Sequence, residues 1–416
     1  MKVLVVTSAP LIQLQDKTYA YAPYVDEMKV WDKYASLSFA CVIWQEQHGL
    51  LVSEIPFNME KVYPLADFNL KSKRYFFKTV YHSFLNVVVL MKAMKQTDHI
   101  HLRCPGNIGL LGCFVQMLFP NKPKTAKYAG NWDPKATQPW SYRLQKWLLS
   151  NTFLTKSMKV LVYGEWPNQT KNIVPFFTAS YSEKEINDNY RYPEPASPAG
   201  RLVSGSHEIN QYQHLDASLT PRNDGKEQQV ATSLTPRNDG GKIKFLFVGA
   251  LTKGKQPLLS VAVLQKLKEN GHQVQLNIYG EGPERLALEQ YITANDLENN
   301  VILHGNCDKE TVKKGYQTAH FLLFISQSEG WPKAVAEAMF WGCVPITSKV
   351  SCIPYMLANG ERGALVNANA DEIVTVVENY LQHPDKYNQQ AMKAMDWSRQ
   401  FTMEKFEEGI GKLLLP

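Results

Sequence analysis

A chain of 416 residues, 44% hydrophobic and 20% charged, is too long for one ordinary core and too evenly mixed for a fibrous or disordered protein. Two or three globular domains are expected. The net charge of +6 is unevenly spread, with 23 Lys/Arg against 15 Asp/Glu in residues 1–200 and 22 against 24 in residues 201–416, so the basic first half suits nucleic acid, anionic lipid or phosphorylated acceptors.

Met1-Lys2-Val3-Leu4-Val5-Val6 reads as a first strand, with no signal-peptide pattern after it. Through residue 200, apolar runs alternate with helical periodicity. Strands are expected at Lys2–Val6, Phe39–Ile43, His99–Leu102, Thr125–Tyr128 and Val160–Val162, and helices over 23–35, 76–96, 108–118 and 140–153. Such alternation marks βα units around a parallel sheet. The longest apolar run, Phe84 to Met91, is interrupted by Asn86 and too short to span a bilayer. Two segments are both basic and aromatic: Lys71-Ser72-Lys73-Arg74-Tyr75-Phe76-Phe77-Lys78, and Arg143 to Lys159 with Trp147 and Phe153 between Lys146 and Lys156. Two readings stay open for them, helices with solvated cations or a peripheral contact with an anionic membrane. Cys41, Cys104, Cys113, Cys307, Cys343 and Cys352 form no CxxC pair, so neither a zinc site nor a disulfide framework is expected, and a reducing cytosol is the expected compartment.

Residues 180–241 read as a linker, with Pro193, Pro195 and Pro198 leading into a polar run. Within it Ser218-Leu219-Thr220-Pro221-Arg222-Asn223-Asp224-Gly225 recurs unchanged as Ser233 to Gly240. Two copies with one leucine each, ending in a turn-prone Asn-Asp-Gly, cannot build a solenoid core. A short duplicated insertion in a loop is the expectation.

From Lys242 the pattern becomes regular. Phe245–Val248 is a strand, Gly249 to Gln256 a loop and Pro257 to Lys268 a helix; Val274–Tyr279 ends in Gly280-Glu281-Gly282-Pro283, and Val301–His304 precedes Gly305. Phe321-Leu322-Leu323-Phe324-Ile325 is apolar without alternation, which predicts a strand buried on both faces. Ser326 to Trp331 forms the loop at its carboxyl end, and Pro332 suits the first position of a helix. Ala334, Val335, Ala338 and Met339 share the apolar face of that helix, with Glu337 at its border and Gly342 as its stop before Val344-Pro345-Ile346. Open α/β sheets bind ligands at the carboxyl mouths of their strands, which is where Glu329 falls.

The phrase S-x-x-E-G-[aromatic]-P-x4-E-A-M-x2-G-x-x-P, carried by Ser326, Glu329, Gly330, Trp331, Pro332, Glu337, Ala338, Met339, Gly342 and Pro345, closely resembles the E-x7-E signature of retaining GT-B glycosyltransferases. The family is the GT4-like one, the glycosyl transferases group 1. The order V-G-x-L, G-x-G-P, V-x-L-x-G, S-E-G between Val248 and Gly330 agrees with the second GT-B domain; in the first half only the architecture is similar. The resemblance implies an α/β protein of two Rossmann-like βαβ domains facing across a cleft. Residues 1–200 would be the acceptor-side domain, 201–241 the linker, 242–395 the nucleotide-sugar domain and 396–416 a C-terminal helix, Trp397–Leu415, crossing back to the first domain.

The activity it implies is retaining, metal-independent transfer of a hexose or related sugar from a nucleotide diphospho-sugar to a glycan or lipid-linked acceptor. The setting would be synthesis of a cell-surface polysaccharide such as lipopolysaccharide, in the cytoplasm or peripherally on the inner face of the plasma membrane. No cofactor, metal or nucleic-acid partner is implied. Glu329 would be the catalytic residue, accepting hydrogen bonds from sugar hydroxyls and stabilising an oxocarbenium-like transition state, while Glu337 would hold the ribose hydroxyls. Gly330 and Trp331 would bring backbone N–H groups against sugar and phosphate. The helix near Pro332 and Lys255, six residues after Gly249, would supply positive potential to the diphosphate. Ala250 stands where an arginine is common, which leaves Lys253 as a further phosphate candidate. Ser8-Ala9-Pro10 stands where many members have a Gly-Gly loop. His82, His99 and His101 are candidates for a first-domain histidine facing the sugar, although core or surface places suit each better. A sugar-nucleotide epimerase or hydrolase, and a non-catalytic nucleotide-sugar-binding relative, remain as alternatives; a dinucleotide oxidoreductase is disfavoured because no G-x-G-x-x-G follows the first strand.

Overall fold

The computed structural model describes residues 1–48, 51–67, 76–187 and 241–414. The run from Lys71 to Tyr75 and both copies of the octapeptide fall outside them. In chain order the first half gives β1 (Lys2–Val6), β2 (Leu11–Leu14), β3 (Lys17–Tyr21), α1 (Ala22–Asp32), β4 (Ser36–Cys41), β5 (Ile43–Trp44), β6 (Val52–Glu54), β7 (Lys61–Pro64), α2 (Phe76–Gln96), β8 (His99–Cys104) and α3 (Asn107–Val115). It continues with β9 (Lys124–Tyr128), α4 (Trp140–Ser150), β10 (Met158–Tyr163), β11 (Ile173–Phe176) and α5 (Glu183–Asn187).

Seven of these strands form a parallel sheet in the order β11-β10-β9-β8-β1-β4-β7. Both faces of its central strands are covered, mostly by apolar side chains. Leu4, Val6, Ile100 and Leu102 pack under α2, α3 and α4, while Val3, Val5, Leu37 and Phe39 pack under α1. Continuous apolar strands such as Val3–Val6 are the sequence form of that double burial. Two details depart from the sequence reading. The strand expected at Phe39–Ile43 runs Ser36–Cys41, with Ile43 and Trp44 passed to a second, four-stranded sheet of order β5-β2-β3-β6. The helix expected over 108–118 ends at Val115 and closes in a 3-10 turn, Gln116–Leu118.

The second half gives β12 (Ile243–Val248), α6 (Pro257–Glu269), β13 (Val274–Tyr279), α7 (Arg285–Ala294), β14 (Val301–Gly305), α8 (Lys309–Thr318), β15 (Phe321–Phe324), α9 (Lys333–Phe340) and β16 (Val344–Ser348). Then follow α10 (Ile353–Met356), β17 (Ala364–Val366), α11 (Ala370–Gln382), α12 (Pro384–Ser398) and α13 (Met403–Leu414). Its sheet is parallel throughout, in the order β14-β13-β12-β15-β16-β17.

The closing helix expected over Trp397–Leu415 is in fact the end of α12 and the whole of α13. Thr402 separates them, its hydroxyl accepting from Lys405 N at 3.4 Å as an N-cap does. The Met403 amide donates to Tyr181 O at 2.9 Å. Beyond the break α13 lies on α1 of the first domain, burying Phe406, Ile410 and Leu414 in the core there, and Lys33 pairs with Glu407 at 2.5 Å. Among the described residues no helix is long and apolar enough to cross a membrane.

Candidate functional site

The strand order of the second sheet reverses between β12 and β15, so the loops leaving them diverge to opposite sides of the sheet and open a crevice at the strands' carboxyl ends. Those loops are Gly249–Gln256 and Ser326–Trp331. The first rests on the Gly280–Pro283 turn with backbone against backbone. A Cβ on Gly280 would lie 2.0 Å from Gly249 O, and one on Gly282 would lie 2.4 Å from Leu251 O. The spacing G-x-G is thus a demand for contact without side chains. The second loop is tied to the first by Gln327 N donating to Gly254 O at 2.9 Å, and to β16 through Ser326 N donating to Ser348 Oγ at 2.9 Å.

Across this crevice Lys255 Nζ forms an ion pair with Glu329 Oε1. Glu329 is nearly buried and Lys255 a quarter exposed, with the ammonium 4.8 Å from the centroid of the Phe324 ring. Lys253 is exposed on the same 3-10 turn. An ammonium carries three donors and a carboxylate only acceptors; the pair therefore places a donor group and an acceptor group side by side, each satisfying the other. Glu337 is oriented at both oxygens. Oε1 accepts from Ser180 Oγ at 2.5 Å and Oε2 from Tyr316 OH at 3.0 Å. Tyr316 is fully buried on α8, and burial together with the adjacent Glu337 charge holds its phenol well above the usual range.

Pro332 is not the first helical residue but the one before it, at φ −76° and ψ 84°, and α9 begins at Lys333. Gly330 and Trp331 meet the first domain. A Cβ on Gly330 would lie 2.3 Å from Ala129 O. The Trp331 ring packs 5.7 Å from Tyr163, 5.9 Å from Phe401 and 6.4 Å from Trp397. Both residues therefore also close the contact between domains, a demand the sequence reading did not contain.

Between the domains opens a cleft of about 560 Å³, lined on the second-domain side by Gly330, Trp331, Lys333 and Glu337 and on the first-domain side by Tyr24, Glu27 and Arg103. The floor of the first-domain wall is a buried ion triad. Arg103 NH1 donates to Glu27 Oε1 at 2.8 Å, and Lys127 Nζ stands 2.9 Å from Glu27 Oε2 as an ion pair rather than an aligned hydrogen bond. Burial alone would raise the Glu27 carboxyl, but Arg103 and Lys127 outweigh it and hold the group far below the usual carboxylate range. Burial lowers Lys127 to about 8, against the raising effect of Glu27. Lys333 and this triad were not anticipated. The available signal was Lys127 itself, a charged residue inside an expected strand of a parallel sheet, a kind of sheet whose faces are both covered.

The three histidines lie elsewhere. His99 Nε2 and His101 Nδ1 both bond Thr125 Oγ1 inside the first core, at 2.9 and 2.8 Å. His82 Nδ1 bonds Asp67 O at 2.9 Å. None of them lines the cleft. Among the described residues there is no group of three or more His, Cys, Asp and Glu that could hold a metal ion.

Two Rossmann-like domains facing across a cleft, with a C-terminal helix returning to the first, are the GT-B architecture. Residues 235–397 match the family model described as Glycosyl transferases group 1. Among curated proteins, the 2-deoxystreptamine N-acetyl-D-glucosaminyltransferase of Niallia circulans is 29% identical over 145 residues, 33% of this chain and 37% of that protein. A phosphatidylinositol N-acetylglucosaminyltransferase component from Arabidopsis thaliana is 22% identical over 160 residues, 37% of this chain and 36% of that protein. Each match thus spans little more than a third of the curated relative's own length. Among solved structures, sucrose-phosphate synthase from Thermosynechococcus elongatus superposes with a TM-score of 0.60 at 15% identity, covering 99% of this chain and 98% of that one. Anabaena HepE in complex with UDP and glucose gives 0.59 at 14% identity, covering 100% and 99%. At these identities the structural likeness speaks for the fold.

Proposed function

We propose that this chain is a retaining glycosyltransferase that moves a hexose or related sugar from a nucleotide diphospho-sugar to a glycan or lipid-linked acceptor, without a metal ion, in cell-surface polysaccharide synthesis. The observation that carries the reading is the Lys255–Glu329 pair at the switch point of the sheet, together with Glu337 held at both oxygens on the wall of the cleft. A diphosphate entering the crevice exchanges for Glu329 as the partner of Lys255, and the released carboxylate is then free to accept from sugar hydroxyls. Glu337 holds the ribose hydroxyls in place of Ser180 Oγ. Breaking the anomeric C–O bond builds negative charge on the departing diphosphate, which Lys255, the exposed Lys253 and the N-terminus of α9 stabilise. The acceptor hydroxyl attacks from the same face and passes its proton to the departing phosphate oxygen, so one C–O bond forms as one breaks and the nucleoside diphosphate leaves. HepE forms complexes with UDP and with UDP-glucose, which supports a nucleotide-sugar donor.

The test is turnover of UDP- and GDP-sugars with and without lipid extract. Glu329→Gln should lower kcat about 100-fold with little change in nucleotide affinity, because its partner is the sugar. Glu337→Gln should weaken nucleotide binding itself. Nucleoside diphosphate released without any acceptor would point instead to a hydrolase or epimerase, and tight binding without turnover to a non-catalytic relative.

A further inference from the structure

Helices α2, α3 and α4 form one layer over the first sheet, with α3 packed against both of the others. Leu90, Ala93 and Met94 of α2 face inward, yet the opposite side of the helix is not polar. Val80, Tyr81, Phe84, Leu85 and Val88 recur there at helical spacing and are all exposed, Phe84 by 66%. A helix apolar on both sides needs a second apolar surface. The layer continues the pattern. Trp147 is exposed on α4, and Phe153 is 87% exposed in the turn after it. That turn is ordered, with Asn151 Oδ1 accepting from both Phe153 N and Leu154 N at 3.0 Å, so the ring is held outward by the fold. Among the described residues, ten of the seventeen large apolar side chains that stand exposed lie between Val80 and Phe153.

Charge decides what covers this face. Residues 68–164 hold 15 Lys/Arg and only two acids, Asp98 and Asp133. Lys92, Lys95, Arg143 and Lys156 are exposed on the elements that carry the apolar side chains or beside them. The cores of protein–protein interfaces are poor in lysine, and a second copy would bring the same positive field against itself. Aromatic side chains ringed by cations suit the headgroup region of an anionic bilayer.

We propose that the outer face of α2, α3 and α4 docks on an anionic membrane surface, apolar side chains in the interface and cations toward the headgroups. The helices lie on the bilayer and do not cross it. This gives the transferase reading its place of action, and the test uses binding alone, so each can fail without the other.

Flotation with vesicles of phosphatidylcholine, and of phosphatidylcholine mixed with phosphatidylglycerol, reads the contact. The protein should float with the mixed vesicles and detach as salt shortens the Debye length toward ~3 Å near 1 M. The triple variant Phe84→Ser, Trp147→Ser, Phe153→Ser should lose partitioning about tenfold or more. The quadruple variant Lys92→Gln, Lys95→Gln, Arg143→Gln, Lys156→Gln should lose the preference for anionic vesicles. All seven positions are exposed, so melting temperatures should stay at the wild-type value and confirm that the fold is intact. Wild-type protein that fails to float with anionic vesicles, or a triple variant that floats as well as wild type, overturns the proposal. So does a lipid-free dimer that the triple variant dissociates, which would assign the face to a second copy.

Discussion

Glu27 shows how one side chain can be indispensable without being a fold determinant. Its two oxygens answer two buried cations, Arg103 and Lys127. Removing it leaves two largely buried cations side by side without their carboxylate. Glu27→Gln should therefore cost about 3–5 kcal/mol in urea unfolding, and Lys127→Met added to it should recover part of the loss. Because the folded carboxyl titrates far below its unfolded value, the stability it contributes is present above the unfolded pKa and is lost as pH falls. His99 acts in the same direction by the opposite route. Burial lowers it from 6.5 to about 4, so the unfolded chain takes up a proton that the folded chain refuses. Stability should fall by roughly 3 kcal/mol as pH drops from 6.5 toward 4. Unfolding curves for His99→Gln should show a flatter pH dependence over that window.

Among the elements, the loop before α9 and the helix α13 carry opposite kinds of constraint. Gly330 admits no Cβ because Ala129 O stands in its place. Gly330→Ala should push the two domains apart at that point and lower turnover, while the isolated second-domain contacts of Lys255 and Glu329 persist; nucleotide titration beside a kinetic assay separates the two effects. For α13 the constraint is burial. Phe406 fills the space beside Phe176, Phe177 and Lys127. Phe406→Ala should cost about 3–5 kcal/mol as a cavity and should loosen the first domain from the returning helix.

At the scale of the whole molecule, contacts besides those of Gly330 and Trp331 tie the first half of the chain to the second. Lys313 pairs with Glu185 at 2.8 Å, Glu183 N donates to Glu404 Oε2 at 2.9 Å, and Ser180 reaches Glu337. On the proposed reading, Glu337 Oε1 exchanges the Ser180 hydroxyl for a ribose hydroxyl as the nucleotide binds. Nucleoside diphosphate present at about 100 times its Kd should add ~2.7 kcal/mol of stability. Thermal shifts with UDP and GDP measure this, and Lys255→Met should shrink the shift.

Much of the second domain was legible because each of its rules is local. Apolar runs of buried parallel strands, a glycine where two backbones touch and a proline beside a helix start all leave their mark within a few residues of the feature they specify. The line from Val248 to Pro345 therefore displays both the sheet and the residues at its switch point. The small β5-β2-β3-β6 sheet was not legible, since strands such as Ile43–Trp44 and Val52–Glu54 are too short to show a period. Nor did the sequence locate the break at Thr402, which depends on Tyr181 taking the Met403 amide. Tertiary structure alone brought Glu27 to Arg103 and Lys127, Ser180 and Tyr316 to Glu337, and the outward apolar side of α2 into one helical layer with Trp147 and Phe153. Those pairings join residues far apart in the chain, and charge or apolarity at one position does not say which distant position will meet it. Sequence by itself determined most of the longer elements and which loops meet at the switch point; packing decided what surrounds them.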